Sequence, residues 1–298
     1  MPRPPRLHVP GGVYHVILRG NHRQPIFHEP SDRAMLDGLV ADSLGRFGAR
    51  AHAYCWMTNH VHLAVQVADA PLGNIMQRIA SQYARRLQWQ LPTTGHLFER
   101  RYHAILVDAD AYLLRLTRYI HLNPVRAGLV RDPADYPWSG HRAYLGLASL
   151  PWLTTDFALA MLGRDIDAAR QAYIQLVALG CDANDSKQFC RGEPGDCRLL
   201  GADDFIAAAT EKATRRRPRD PQTLEQLILD VAAELGVSSA ELASESRTQR
   251  ATHARCVVAE RALSGGVATI TTVARRLNRN HSSLCEALER HRRLKKSG

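Results

Sequence analysis

The sequence predicts an α+β protein in which one mixed domain is followed by all-α segments. Alternating apolar residues predict four short strands before residue 110, whereas only helical spacing recurs beyond residue 145. The charge is also uneven, with a net +7 in residues 1–150, −4 in 151–214 and +7 in 215–298. We therefore predict three parts: a mixed α+β domain at 1–145, an acidic helical connector at 146–215, and a basic helical domain at 216–298.

The predicted N-terminal elements follow the order strand, helix, strand, strand, helix, strand, helix. Ser31-Asp32 opens the first helix and Gly48 ends it, as residues of these types commonly do. The predicted strands are 13–18, 51–57, 60–67 and 103–107, and the predicted helices are 31–47, 72–91 and 109–122. Two β-α-β halves of this kind form an antiparallel sheet with helices on one face, a ferredoxin-like layout.

The connector and the termini are less informative. The connector has helical pieces at 158–162 and 168–178 and a loop at 180–197, to which we assign no chemistry. The six cysteines show no Cys-x-x-Cys spacing, so free thiols are expected. Residues 2–10, with Arg3 and Arg6, form either an extended arm along nucleic acid or a frayed terminus.

The overall charge predicts a polyanionic partner. A net charge of +10 and a pI near 9.6 attract phosphate backbones, so nucleic acid is the expected ligand. No apolar run is long enough to cross a bilayer, and the first residues do not form a signal peptide. We therefore expect a cytoplasmic protein with no membrane partner.

Two histidines two residues apart stand in the third predicted strand. Because side chains alternate along a strand, His60 and His62 point to one face while Val61 and Leu63 point to the other. Two imidazoles on a rigid strand form half of a divalent metal site and need a further ligand. The alternative is a pair of ordinary half-buried histidines.

The helix at 109–122 carries groups that complement this pair. Tyr112, Leu116, Tyr119, Ile120 and Asn123 lie on one helical face, which places Tyr119 and Asn123 one turn apart. A tyrosine hydroxyl can attack a phosphodiester, and an amide oxygen can bind a metal. The alternative is that Tyr119 is a core aromatic residue and Asn123 an N-cap before Pro124.

Four motifs in order resemble the single-tyrosine transposases of the His-hydrophobic-His (HUH) class, and in particular the REP-associated tyrosine transposases. They are Gly12-Val-Tyr-His-Val16, Asn59-His-Val-His62, Phe98-Glu-Arg-Arg-Tyr102 and Arg118-Tyr-Ile-His-Leu-Asn-Pro-Val-Arg-Ala-Gly-Leu-Val130. The resemblance covers about residues 10–145. It implies that His60 and His62 bind the metal, that Tyr119 is the nucleophile, and that Asn123 is the third ligand, with His121 as a rival.

The resemblance also implies a reaction. Tyr119 would cleave single-stranded, hairpin-bearing DNA with Mg²⁺ or Mn²⁺, leaving a 5′-phosphotyrosine and a free 3′-hydroxyl that allow rejoining. Arg100, Arg101 and Arg126 either hold the strand backbone or form solvated charges. A protein that binds DNA as a regulator without cutting it is the alternative. The sequence leaves open whether the chain is a monomer or a homodimer.

The C-terminal part resembles the DNA-binding domain of the bacterial replication initiator DnaA. The matching segments are Ser246–Arg250, Ala254–Glu260 and Thr271–Leu288. The resemblance implies a helix-turn-helix, with 269–277 as the supporting helix and 281–291 as the recognition helix on duplex DNA. Asn280, His281 and Ser282 would meet base edges, and Arg247 and Arg250 would grip a groove or phosphates. The alternative is a basic helical bundle used for dimerisation.

Overall fold

A computed structural model describes residues 6–90, 95–214, 224–246, 248–264 and 267–294. The chain divides into two compact units, Met1–Ala213 and Thr214–Gly298. Arg3, Arg247 and the basic stretch 215–220 lie outside the described residues. The segment that we treated as a connector belongs almost entirely to the first unit.

The first unit combines strands and helices, whereas the described part of the second unit is helical. The strands are β1 (Val13–Arg19), β2 (Arg50–Trp56), β3 (His60–Gln66), β4 (His103–Val107) and β5 (Leu199–Leu200). The helices up to residue 214 are α1 (Pro30–Phe47), α2 (Leu72–Gln90), α3 (Ala109–His121), α4 (Asn123–Arg126), α5 (His141–Tyr144), α6 (Asp156–Ala160), α7 (Ile166–Ala178), α8 (Ala183–Arg191) and α9 (Asp203–Thr214). The later helices are α10 (Leu224–Leu235), α11 (Ser239–Ala243), α12 (Gln249–Ser264), α13 (Ile270–Arg276) and α14 (His281–Leu294).

The described strands form one sheet in the order β2-β3-β1-β4-β5. β1 is central and pairs antiparallel with both β3 and β4, whereas β5 pairs parallel with β4. The predicted α+β class is therefore confirmed: the four predicted strands are antiparallel neighbours, and β5 adds a parallel strand that was not predicted. β5 also corrects the prediction of an all-α connector. Its two residues are too few to produce a periodic signal in the sequence.

Helices cover both faces of this sheet. Tyr14, Val16 and Leu18 face the core that includes α1 and α2, while Ile105 on the opposite face packs in a cluster with α3 and with Phe189 of α8. The helices of the two β-α-β halves, α1 and α2, therefore share one face as predicted, and α3 covers the other. The reason is visible in β1, because residues 13–18 are buried without alternation, as expected for a strand covered on both sides.

The ends of α1 follow the local sequence. Glu29 and Asp32 form a reciprocal capping box at its start, and Gly48 stops it with a φ of 62°. That left-handed conformation favours glycine, because it has no Cβ. The boundary predicted from Gly48 is confirmed. No helix among the described residues is long and apolar enough to cross a membrane.

The described part of the second unit has its own apolar core. Val231, Leu242, Val258, Val273 and Leu284 come from five different helices and are all buried. The same unit carries a net +7 charge.

Candidate active site

The two histidines of β3 share one sheet face with β1 residues. In the antiparallel register, His60 lies opposite Arg19 and His62 lies opposite Ile17. His62 is buried, and the His60 and His62 ring centroids are 4.9 Å apart. Val61 and Leu63 point into the core on the other face, as the alternation predicted.

The neighbours of His60 determine which ring nitrogen is free. Its Nδ1 lies 2.7 Å from Oδ1 of Asn59, which can only accept a hydrogen bond. Nδ1 therefore carries the proton and Nε2 keeps its lone pair. Burial, assisted by the charge of Arg19, lowers the pKa of His60 to about 4, so the ring is neutral near pH 7 and able to bind a metal.

Tyr119 of α3 lies beside these histidines. Its ring is 5.9 Å from that of His62, in an edge-on arrangement, and 5.8 Å from the ring of His15 on β1. Its side chain is buried, and its hydroxyl lies 3.3 Å from Sγ of Cys190. Burial, followed by the nearby Cys190, raises the pKa of Tyr119, and the Arg126 guanidinium opposes this shift. The resting hydroxyl is therefore protonated.

Asn123 begins α4, immediately beyond the end of α3. Its amide nitrogen donates to the carbonyl oxygens of Tyr119 and Ile120, at 2.8 and 3.3 Å. These bonds orient the amide and leave its oxygen as the atom that could bind a metal. Because the Asn123 side chain is hydrogen-bonded to the Tyr119 backbone, the positions of these two candidate residues depend on each other.

His121, the rival to Asn123, lies in a different cluster. Its Nδ1 is 2.7 Å from the Tyr173 hydroxyl, which is also 2.7 Å from Nδ1 of His141. Its ring packs edge-on against Tyr144. Side chains two positions apart point to nearly opposite sides of a helix. His121 and Tyr119 therefore lie in different surroundings.

Helix α8 covers the candidate nucleophile. The buried Asp185 carboxylate pairs with Arg115 and Arg118 of α3, at 2.7 Å each. The Phe189 ring lies 5.1 Å from that of Tyr119. This segment lies in the predicted loop at 180–197, to which no chemistry was assigned, and the prediction of a loop is wrong for α8. Charge is the one feature of the sequence that could have predicted this contact. Residues 151–214 are acidic, and α3 carries two arginines on neighbouring turns.

The predicted DNA-binding arginines have separate positions around this site. The Arg126 guanidinium lies 4.8 Å from the centre of the Tyr119 ring and donates to Oγ of Ser186. Arg100 lines a cleft of about 230 Å³ together with Arg19, His103 and Cys190. Arg101 and Arg6 lie elsewhere: Arg101 is exposed, and Arg6 stacks 3.8 Å over the Tyr102 ring.

The predicted contact residues of the second unit lie at the start of α14. Oδ1 of Asn280 accepts from the backbone nitrogen of Ser282 at 2.9 Å, and both residues are exposed, as is His281. Arg250 donates from Nε to the carbonyl oxygen of Leu235, which leaves its terminal nitrogens as the groups for other contacts. Arg247 is outside the described residues.

Comparison with known proteins finds a similarity in the N-terminal part of the chain. Residues 8–123 match the family described as "Transposase IS200 like". The matched segment is less than half of the chain, but it contains β1, both histidines of β3, Tyr119 and Asn123.

A solved structure also matches the chain. It is described as the "REP associates tyrosine transposase bound to a REP hairpin", is 18% identical, and has a TM-score of 0.44. The match covers 52% of this chain and 92% of that one. No curated protein matches.

The candidate donors of the first unit have the chemistry to hold a divalent ion. Across the described ranges, no group of three or more His, Cys, Asp or Glu residues could hold a metal. The candidate set is instead two imidazole nitrogens from His60 and His62 and one amide oxygen from Asn123. The two imidazoles suit transition metals, whereas the amide oxygen suits hard ions such as Mg²⁺ or Mn²⁺.

The buried histidine cluster predicts acid sensitivity. Burial lowers the pKa of His141 to about 4, partly offset by Asp132. The folded pKa is below the unfolded value of about 6.5, so stability is full above pH 6.5 and falls as the pH drops towards 4. Lowering the pH from 8 to 5 should therefore reduce the free energy of unfolding of the first unit by about 2 kcal/mol through His141. This loss should be absent in His141→Asn.

Urea unfolding followed by tryptophan fluorescence measures this effect, because all four tryptophans, at 56, 89, 138 and 152, lie in the first unit. The exposed His28→Asn provides the matched control. Equal acid sensitivity in wild type and His141→Asn would contradict the assignment to His141.

Proposed function

We propose that the first unit cleaves and rejoins single-stranded, hairpin-bearing DNA as a metal-dependent, single-tyrosine transposase of the HUH class. The observation that carries this proposal is the convergence of His60, His62 and Tyr119 on one sheet face, with Asn123 anchored to the Tyr119 backbone. The IS200-like match over the same residues supports it. The strand order β2-β3-β1-β4, with antiparallel neighbours, supports the ferredoxin-like layout.

The chemistry follows from the positions of these groups. His60, His62 and Asn123 would hold Mg²⁺ or Mn²⁺, which supplies charge stabilisation at a non-bridging oxygen of the scissile phosphate. The Tyr119 oxygen attacks phosphorus and forms a phosphotyrosine with the 5′ side, and its proton passes to solvent. The 3′ oxygen leaves and becomes a hydroxyl. A second 3′-hydroxyl then attacks the phosphotyrosine, joins the DNA and releases Tyr119.

Arginines around the nucleophile have complementary roles. Arg126, stacked against the Tyr119 ring, favours the tyrosinate form and a nearby phosphate. Arg100 and Arg101, in the loop before β4, would hold the strand backbone, and the cleft containing Arg100 is the candidate path for the strand. Each would act through charge and bidentate hydrogen bonds rather than by reading sequence.

The test is a covalent-adduct assay with the full chain. A labelled single-stranded hairpin library is incubated with Mg²⁺ or Mn²⁺ and analysed on a denaturing gel, with EDTA as the control. We expect a shifted band that requires metal. DNA binding without any shifted band would instead favour the non-cutting regulator, which the burial of Tyr119 beneath α8 makes a specific alternative.

For the second unit, we propose a helix-turn-helix that binds duplex DNA in a sequence-specific manner and targets the first unit. α13 and α14 are joined by residues 277–280, and His281 and Ser282 are exposed at the start of α14, the position from which recognition helices contact bases. Arg250 and Arg247 would contact phosphate or a groove. The net charge of +7 supports a polyanionic partner.

Substitution at the start of α14 should reduce discrimination between DNA sequences. We expect His281→Ala combined with Ser282→Ala to lower the preference for a selected duplex over a scrambled one by about 10- to 100-fold. Binding to the scrambled duplex should change little, because phosphate contacts remain. Fluorescence anisotropy at fixed salt measures both affinities, with the exposed Ser239→Ala of α11 as the control. If the ratio of the two affinities were unchanged, the start of α14 would not contact bases.

A further inference from the structure

A buried histidine of β1 connects the candidate metal site to α8. His15 is fully buried, and its Nδ1 lies 2.8 Å from the carbonyl oxygen of Phe189. Its Nε2 lies 2.9 Å from Nδ1 of His62. The two imidazoles are nearly parallel, with an interplanar angle of 11°. Neither the family match nor the sequence motif assigns a role to His15.

The direction of these hydrogen bonds follows from the acceptor at one end. A carbonyl oxygen only accepts, so Nδ1 of His15 must donate to Phe189. If Nε2 also carried a proton, His15 would be a buried cation facing another imidazole, which is costly. Nε2 of His15 therefore accepts, and Nδ1 of His62 donates. His62 is left with its Nε2 lone pair free.

We propose that His15 is a positioning residue that fixes His62 in the tautomer and ring orientation required to bind the metal. This inference rests on the proposed function, because it assigns His15 to the same metal site. Partners that hold the second ring nitrogen of a metal-binding histidine commonly contribute 10- to 100-fold to metal affinity. The chain from Phe189 through His15 to His62 also makes α8, which lies outside the family match, part of the support for the site.

The first test measures Mn²⁺ affinity of the full chain by electron paramagnetic resonance, without DNA. We expect His15→Ala to weaken binding by about 10- to 100-fold. His15→Gln, whose amide oxygen reaches a position similar to that of Nε2, should recover most of the affinity. His52→Ala is the matched control, because His52 is also fully buried in the sheet but bonds to Gln66.

The second test reads the tautomer in the metal-free wild type, and a variant is needed only to assign the signals. Long-range ¹H–¹⁵N correlation spectra distinguish the two neutral tautomers, with His62→Gln identifying the His62 signals. We expect a proton on Nδ1 of His62 and none on Nε2. A proton on Nε2 would overturn the inference.

The outcomes separate this inference from the proposed function. Wild-type affinity in a folded His15→Ala protein would overturn the positioning role while leaving the metal site intact. Equal losses in His15→Ala and His52→Ala would also overturn it, since the effect would then be general destabilisation. A wild type that binds no Mn²⁺, alone or with hairpin DNA, would overturn the proposed metal-dependent function itself.

Discussion

Tyr119→Phe is expected to abolish the covalent DNA adduct and to lower strand cleavage by at least about 10⁴-fold. The change removes only the hydroxyl that we propose as the nucleophile, so no phosphotyrosine should form. The ring contacts with His15, His62 and Phe189 are retained, and the lost hydrogen bond to Cys190 should cost only about 1 kcal/mol. Single-turnover cleavage and hairpin binding, measured on the same preparation, separate chemistry from folding.

Tyr112→Phe is the matched control for this variant. Tyr112 lies two turns earlier on α3, beside Phe189 and beneath the Arg115 guanidinium. Removing its hydroxyl should leave adduct formation near the wild-type level. An adduct that persists in Tyr119→Phe and disappears in Tyr112→Phe would transfer the role of nucleophile to Tyr112.

Asp185→Ala is expected to destabilise the first unit by about 3–5 kcal/mol. The Asp185 carboxylate is fully buried and pairs with two arginines, so its removal leaves the largely buried Arg118 without its partner. The break should first release α8 from α3 and uncover Tyr119. Urea unfolding followed by tryptophan fluorescence gives the stability, and hydrogen exchange of the α8 amides locates the loss.

Asp167→Ala provides the comparison, because Asp167 forms an ion pair with Arg170 in which its own side chain is 84% exposed. Such surface pairs contribute about 0–1 kcal/mol. If the two aspartate variants lost equal stability, the buried ion pair would not be what holds α8 in place.

Regular local patterns predicted much of the fold. Alternation in β3 placed His60 and His62 on one face, and helical spacing in α3 placed Tyr119 one turn before Asn123. The strands β1 to β4 and the helices α1 to α3 fall within a few residues of their predicted bounds. Each of these inferences needs only the geometry of one element, and that geometry is the same wherever the element packs.

Contacts between distant segments could not be predicted in the same way. The bond between His15 and Phe189 joins residues 174 positions apart, and nothing periodic in the sequence links them. The pairing of β5 with β4 and the docking of Asp185 on α3 depend on how the acidic segment folds back. As a result, the candidate site residues were predictable from the sequence, whereas the helix that covers Tyr119 and the histidine that hydrogen-bonds His62 were not.

Peptide mapping of the DNA adduct tests the central claim most directly. Trypsin cleaves after Arg118 and Arg126, so Tyr119 is the only tyrosine in the peptide 119–126, whereas the peptide 102–115 contains both Tyr102 and Tyr112. After nuclease trimming, mass spectrometry locates the attached nucleotide. We predict a 5′-phosphonucleotide on 119–126, formed only with Mg²⁺ or Mn²⁺. A nucleotide on 102–115, or none on any peptide from a metal-containing reaction that binds DNA, would contradict Tyr119 as the nucleophile.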